Sequence, residues 1–156
     1  MEAARITLTV LDASAVIGFL RDEPARNQVE DLLRRRPPPV ISAVNLCEAI
    51  DVLVRVGGHT EEAVNDAIGL LIVGGLEVEP FWLPHGRLAA SIRAAHYHRS
   101  RSPISLGDAA CLATARSLKA TVATTDAALA RAAGALGLEV VMLKAQDSPT
   151  TGGQRA

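Results

Sequence analysis

The chain has 156 residues, a length that suits one domain with a real buried core. Apolar residues make up 49% but aromatics only 3%, so Ala, Val, Leu and Ile must fill the interior. With 16 basic against 17 acidic residues and a net charge of -1, the balance argues against a protein that binds nucleic acid by bulk charge, while leaving room for a local basic patch.

The chain opens on Met1–Arg5 and then Ile6–Leu11, a β-branched and apolar run expected to form a buried parallel strand. That run is short, lacks a small-residue cleavage site and ends in Asp12, so it reads as a strand and not as a signal peptide. No apolar stretch is long enough to span a bilayer. Cys47 and Cys111 belong to no C-x-x-C pair and are expected as buried free thiols. A reducing, cytoplasmic setting is the expectation, with no membrane partner.

A helix is expected from about Ala15 to Arg21, and Pro24 is placed to open a second one, which ends in Arg34-Arg35-Arg36. The three prolines Pro37–Pro39 forbid its continuation. Val40-Ile41 is a short strand, and Ser42 caps a helix whose apolar stripe is Val44, Cys47, Ile50 and Leu53-Val54. Gly57-Gly58 stops it. Thr60-x-Glu62 starts a helix that runs to Gly74-Gly75, apolar enough to bind a partner but read first as core packing. Glu77–Phe81 is a strand, at a sheet edge because Pro80 cannot donate. The lone Trp82 follows, expected at a strand end or a dimer face.

A helix from about His85 to Tyr97 leads into a polar, basic loop, His96–Ser102, closed by Pro103. Ser105-Leu-Gly-Asp108 opens an Ala-rich helix that ends near Leu118. Thr121–Thr124 is a strand, Asp126 begins a helix ending at Gly137, and Glu139–Leu143 is the last strand. The Ser-, Thr- and Gly-rich tail from 145 to 156 is expected to be disordered after a single domain spanning 1–144. Strands alternate with helices throughout. The expectation is therefore an α/β three-layer sandwich with a mostly parallel, roughly five-stranded sheet flanked by helices. In such sheets the ligand site lies at the carboxyl ends of the strands, where Asp12 and Asp126 fall.

Each acid also has a plain structural reading. Asp12 and Asp126 fit helix or turn caps. Asp108 completes a capping box with Ser105. Glu48 could lie on a solvated face with Asn45 and Asp51, although no basic neighbour three or four residues away pairs with it. The combination carries the functional reading. Four carboxylates at one sheet edge without a cation would repel each other, and a hard divalent ion such as Mg²⁺ or Mn²⁺ resolves that. Phosphodiester hydrolysis is the chemistry suited to such a site.

Four segments resemble a known family: Val10-Leu-Asp12-Ala-Ser14-Ala, Ser42-Ala-Val-Asn45-Leu-Cys-Glu48-Ala, Ser105-Leu-Gly-Asp108-Ala-Ala-x-x-Ala113-Thr-Ala and Thr124-Thr-Asp126. In order and spacing they are similar to the PIN domain, and more narrowly to the VapC toxins of bacterial toxin–antitoxin pairs. The resemblance covers about Ile6 to Leu143. It implies that Asp12, Glu48, Asp108 and Asp126 form an acidic metal site, with Ser14 and Asn45 in support. It implies an Mg²⁺-dependent endoribonuclease cutting structured RNA (tRNA or rRNA), a homodimer, and a cognate antitoxin that blocks the site. The chain departs from the pattern after Asp126, where Ala127-Ala128-Leu129 stands in place of a frequent aromatic.

The loop residues His98, Arg99 and Arg101, with His96 and Tyr97, are expected to hold and stack RNA or else to be a plain exposed loop. Arg34-Arg35-Arg36 is read first as a solvated helix end. Two other readings compete. A PIN-type nuclease of RNA maturation, or one acting on DNA, would carry the same acids. A phospho-acceptor signalling domain would need a second acid beside Asp12, where this chain has Ala13.

Overall fold

The computed structural model describes residues 7–146. Five parallel strands form one sheet in the order β3-β2-β1-β4-β5: β1 Thr9–Leu11, β2 Val40–Ser42, β3 Glu77–Glu79, β4 Thr121–Thr124 and β5 Val140–Met142. Seven α-helices connect them among the described residues: α1 Ala13–Leu20, α2 Arg26–Leu33, α3 Ala43–Asp51, α4 Glu61–Val73, α5 Leu83–His96, α6 Leu106–Leu118 and α7 Ala127–Ala135. A π-helical turn, Val52–Val56, extends α3.

The two-residue period of β1 decides the layers. Leu11 pairs with Ile41 and Ala123, and these three face a core built with α1, α2, α3 and α4. Val10 pairs with Val40 and Val122, and Val10 and Val122 face the other way, into a core with α5, α6 and α7. Both faces of the sheet are thus covered, which is why β1, β2 and β4 are buried at every position. The result is the expected three-layer sandwich. Helix α6 is buried without a break from Ala109 to Ala115, and its small residues let it lie close against the sheet.

Several boundaries differ from the sequence expectation. Thr7 and Leu8 precede β1 instead of joining it, and Ile6 and residues 147–156 of the expected disordered tail lie outside the described residues. Helix α1 begins at Ala13 because the Asp12 carboxylate caps it. Pro24 stands before the N-cap residue Ala25 and so does not open α2. Strand β3 stops at Glu79, and it is an edge strand as Pro80 requires. Helix α5 starts at Leu83, and α7 ends at Ala135, two residues short of Gly137.

The largest difference is the phase of α3. Its fully buried residues are Asn45 and Ala49, continued by Leu53, while Cys47 is exposed. The inward stripe is therefore rotated from the expected Val44–Cys47 line. Cys111 is the buried thiol, and burial pushes it well above the ordinary thiol range, so it is inert.

Candidate active site: carboxylates at the strand ends

The strand order reverses at β1, which has β2 on one side and β4 on the other. In open sheets of this kind a ligand site is expected outside the carboxyl ends of the strands at such a reversal, here those of β1 and β4. Asp12 stands there directly after β1 and is only 5% exposed. Its side chain is heavily engaged. Oδ1 accepts from the Ala15 N–H at 3.1 Å, and the Ser14 hydroxyl lies 2.7 and 2.9 Å from the two carboxylate oxygens. The Thr124 hydroxyl donates to Oδ2 at 2.6 Å. Burial nevertheless raises the Asp12 carboxyl above its ordinary value, outweighing those hydrogen bonds, and the nearby charge of Asp108 adds to the rise.

Thr124 is a site residue that the sequence did not disclose. It is fully buried, and besides holding Asp12 it accepts from the Asp126 N–H at 2.9 Å. Ser14 completes the brace by accepting from the Thr125 N–H at 3.1 Å. The β4 end is thereby tied to the β1 end through two hydroxyls. In sequence, Thr124 belongs to the Thr124-Thr-Asp126 segment, but its own residue type says no more than β-branched strand. Thr124→Val keeps the shape but removes both bonds. It is expected to cost about 1–3 kcal/mol in denaturant unfolding, the range for stranding buried polar partners.

Glu48 lies on α3 with its side chain reaching the first turn of α6. Its carboxylate occupies the space beside Gly107, where a Cβ would collide with Oε2. Glu48 is exposed as a residue, yet partial desolvation raises its carboxyl above the ordinary value, the charge of Asp108 adds to the rise, and a hydrogen bond from Asn45 opposes it. Asn45, one turn earlier, is 1% exposed and donates through Nδ2 to the Gly107 carbonyl at 2.9 Å. Its Oδ1 is buried without a partner. The solvated-face reading therefore fails for Asn45. It holds for Asp51, which pairs with Arg55 at 2.7 Å on the surface.

Asp108 performs the capping role that its sequence position suggests. Its Oδ2 accepts from the Ser105 N–H at 2.7 Å and its N–H donates to the Ser105 hydroxyl at 3.0 Å, a complete capping box. Its charge also reaches Asp12 and Glu48, and all three acids act on the Cys111 thiol. Asp126 is exposed and caps α7, its Oδ1 accepting from the Ala128 and Leu129 N–H groups at 2.7 and 3.1 Å. It is absent from the charges that raise Asp12 and Glu48. The Asp108 charge thus acts on both Asp12 and Glu48, while Asp126 is tied to Asp12 only through its backbone N–H and the Thr124 hydroxyl.

The donors suit a hard divalent cation. Three carboxylates share one region, two are pushed toward protonation, and an unpartnered amide oxygen is buried beside them. No Lys, Arg or His contributes to either carboxyl's shift. All of these donors are oxygens, the ligand type that Mg²⁺ and Mn²⁺ prefer. Among the described residues, no three His, Cys, Asp or Glu side chains already stand in the tight arrangement of a metal centre. Asp108 in particular is turned onto its own helix end.

The basic loop is a small hairpin leading into α6. His98 and Ser102 exchange backbone hydrogen bonds at 2.9 and 3.0 Å, and His98 Nδ1 accepts from the Ser100 and Arg101 N–H groups at 3.2 and 3.1 Å. His98 therefore serves the turn. Arg99 and Arg101 are exposed, and neither takes part in an ion pair among the described residues. Tyr97 carries the Arg93 guanidinium over its ring at 4.5 Å. Arg34 bonds to Glu30 and lies near Asp31, as a solvated helix end should. Trp82 is 64% exposed at the N-cap of α5.

Solved structures with this architecture include VapC20 of Mycobacterium tuberculosis, described as a sarcin–ricin loop cleaving toxin. It is 20% identical over 80% of this chain and 94% of its own, with a TM-score of 0.64. VapBC2 of Rickettsia felis, bound to a DNA fragment from its promoter, is 16% identical over 88% of this chain and 99% of its own, with a TM-score of 0.66. FitAcB of Neisseria gonorrhoeae is 22% identical over 85% of this chain and 95% of its own, with a TM-score of 0.60. None of the curated proteins matches the sequence. Residues 9–135 match the PIN domain, a span that takes in Asp12, Glu48, Asp108 and Asp126, and the chain belongs to the PIN domain family.

Proposed function

We propose that this protein is a metal-dependent endoribonuclease acting as the toxin of a toxin–antitoxin pair. The observation that carries the proposal is the placement of Asp12, buried directly after β1, and of the Glu48 carboxylate against Gly107 beside Asp108, with the Asp108 charge raising both carboxyls, in a PIN fold. Asp12, Glu48 and Asp108 would hold Mg²⁺ or Mn²⁺, with Asp126 as the fourth acid. The ion would supply Lewis-acid activation of phosphodiester hydrolysis.

The protein's own part is placement. Ser14 and Thr124 keep the Asp12 carboxylate in one orientation, and Asn45 fixes α3 against α6. Arg99 and Arg101, in no ion pair among the described residues and close in sequence to α6, are proposed to contact the RNA backbone, with His98 shaping their turn. An RNA substrate is supported by the Mycobacterium tuberculosis neighbour, described as a sarcin–ricin loop cleaving toxin. A cognate antitoxin is supported by the neighbours solved as toxin–antitoxin complexes. We also propose a homodimer, a single domain over 1–144 and a cytoplasmic setting. No helix among the described residues is long and apolar enough to cross a membrane.

The test is cleavage of total RNA by the purified protein with Mg²⁺ or Mn²⁺, with sequencing of the new ends. Discrete cuts that vanish in EDTA are expected. Cleavage unchanged in EDTA, or cutting of DNA alone, would overturn the reading.

A further inference from the structure

Gly107 sits at the second position of α6, between the cap Ser105 and the site acid Asp108. Its backbone is not in the left-handed region, so conformation alone does not demand glycine there. Alanine is the better helix former. Something other than local backbone preference must therefore explain the missing side chain.

The explanation lies across the helix pair. A Cβ on residue 107 would fall on Glu48 Oε2, with the Glu48 Cδ at 3.1 Å and Oε1 at 3.4 Å. The neighbouring peptide is held in place, because Asn45 Nδ2 bonds the Gly107 carbonyl at 2.9 Å and α6 is buried from Ala109 to Ala115. The group that can yield is the exposed Glu48 side chain, because the atom met is the far end of a long side chain and not backbone. An added methyl would move the carboxylate while leaving the fold in place.

We propose that the absent side chain at Gly107 seats the Glu48 carboxylate beside the first turn of α6, which makes Gly107 a positioning residue of the metal site. The inference rests on the reading of Glu48 as one of the acids that hold the cation. It assigns to Asn45 the matching task of keeping the two helices at the distance that Gly107 permits.

The experiment compares the parent, Gly107→Ala, Glu48→Ala and the double variant. Each is titrated with Mn²⁺ alone by calorimetry and melted without metal. Gly107→Ala is expected to weaken Mn²⁺ binding by about tenfold or more, the scale for losing a group that orients a ligand. Its metal-free Tm should equal or exceed that of the parent. In the Glu48→Ala background the same methyl meets no carboxylate, so the double variant should bind Mn²⁺ as Glu48→Ala does. Parent-like binding by Gly107→Ala overturns the inference, as does a further loss in the double variant. A lowered Tm or failure to fold that persists without the Glu48 side chain overturns it too. Parent-like binding by Glu48→Ala would instead refute the role of Glu48, and the inference with it.

Discussion

Asp12→Asn is expected to reduce RNA cleavage by more than about a hundredfold while leaving a folded protein. Loss of a residue that merely orients a metal ligand already costs about 10–100-fold, and Asp12 is proposed as a ligand itself. The fold should survive because Asn matches Asp in shape and serves as well at an N-cap. The Ala15 N–H keeps its acceptor, and the Ser14 and Thr124 hydroxyls can turn to meet the new amide. Removing a buried charge should even stabilise the metal-free protein near neutral pH, since burial is what raises the Asp12 carboxyl. Lost activity together with a retained or raised Tm is thus the signature of a catalytic acid. A parent-like cleavage rate in Asp12→Asn would remove Asp12 from the mechanism, and a collapsed fold would assign it a structural role.

The position of Asp12 at a strand end was legible in the sequence, because the largely apolar run before it reads as a buried strand that the acid must terminate. The layer pattern was legible for the same kind of reason, since β1, β2 and β4 lack the polar alternation of a one-sided sheet. The caps followed from local chemistry, and Ser42, Ser105 and Asp126 all perform them.

What stayed hidden depends on tertiary context. In α3, Val44 and Cys47 look more apolar than Asn45, and periodicity alone places them inward. Asn45 is buried instead, because the Gly107 carbonyl offers it a partner 62 positions away. Thr124 has no local mark as a site residue, for its bond to Asp12 joins two strands that only the sheet order brings together. Gly107 reads as an indifferent helical glycine until Glu48 is placed beside it.

Stability should fall as pH rises in the metal-free protein, and added Mn²⁺ should offset that fall by a margin that widens with pH. Asp12 and Glu48 are both raised from ordinary values of 3.8 and 4.5. A carboxyl raised in the folded state favours folding below its ordinary value, and that advantage is lost as pH climbs through the raised one. The metal-free Tm is therefore expected to decline from the mildly acid range toward neutrality. Asp12 should carry most of the slope, because it is buried while Glu48 is partly screened by solvent. Cation binding requires ionised carboxylates, so it strengthens over the same interval. At a free Mn²⁺ concentration one hundred times the dissociation constant, the gain is about 2.7 kcal/mol, or roughly 5–10 °C in Tm for a domain of this size. Paired melts with Mn²⁺ and with EDTA across the acid-to-neutral range check this. Asp12→Asn should flatten the metal-free slope and abolish most of the Mn²⁺ gain together. A Tm that ignores Mn²⁺ at every pH would mean that the three acids do not hold a cation, and the nuclease reading would fail with them.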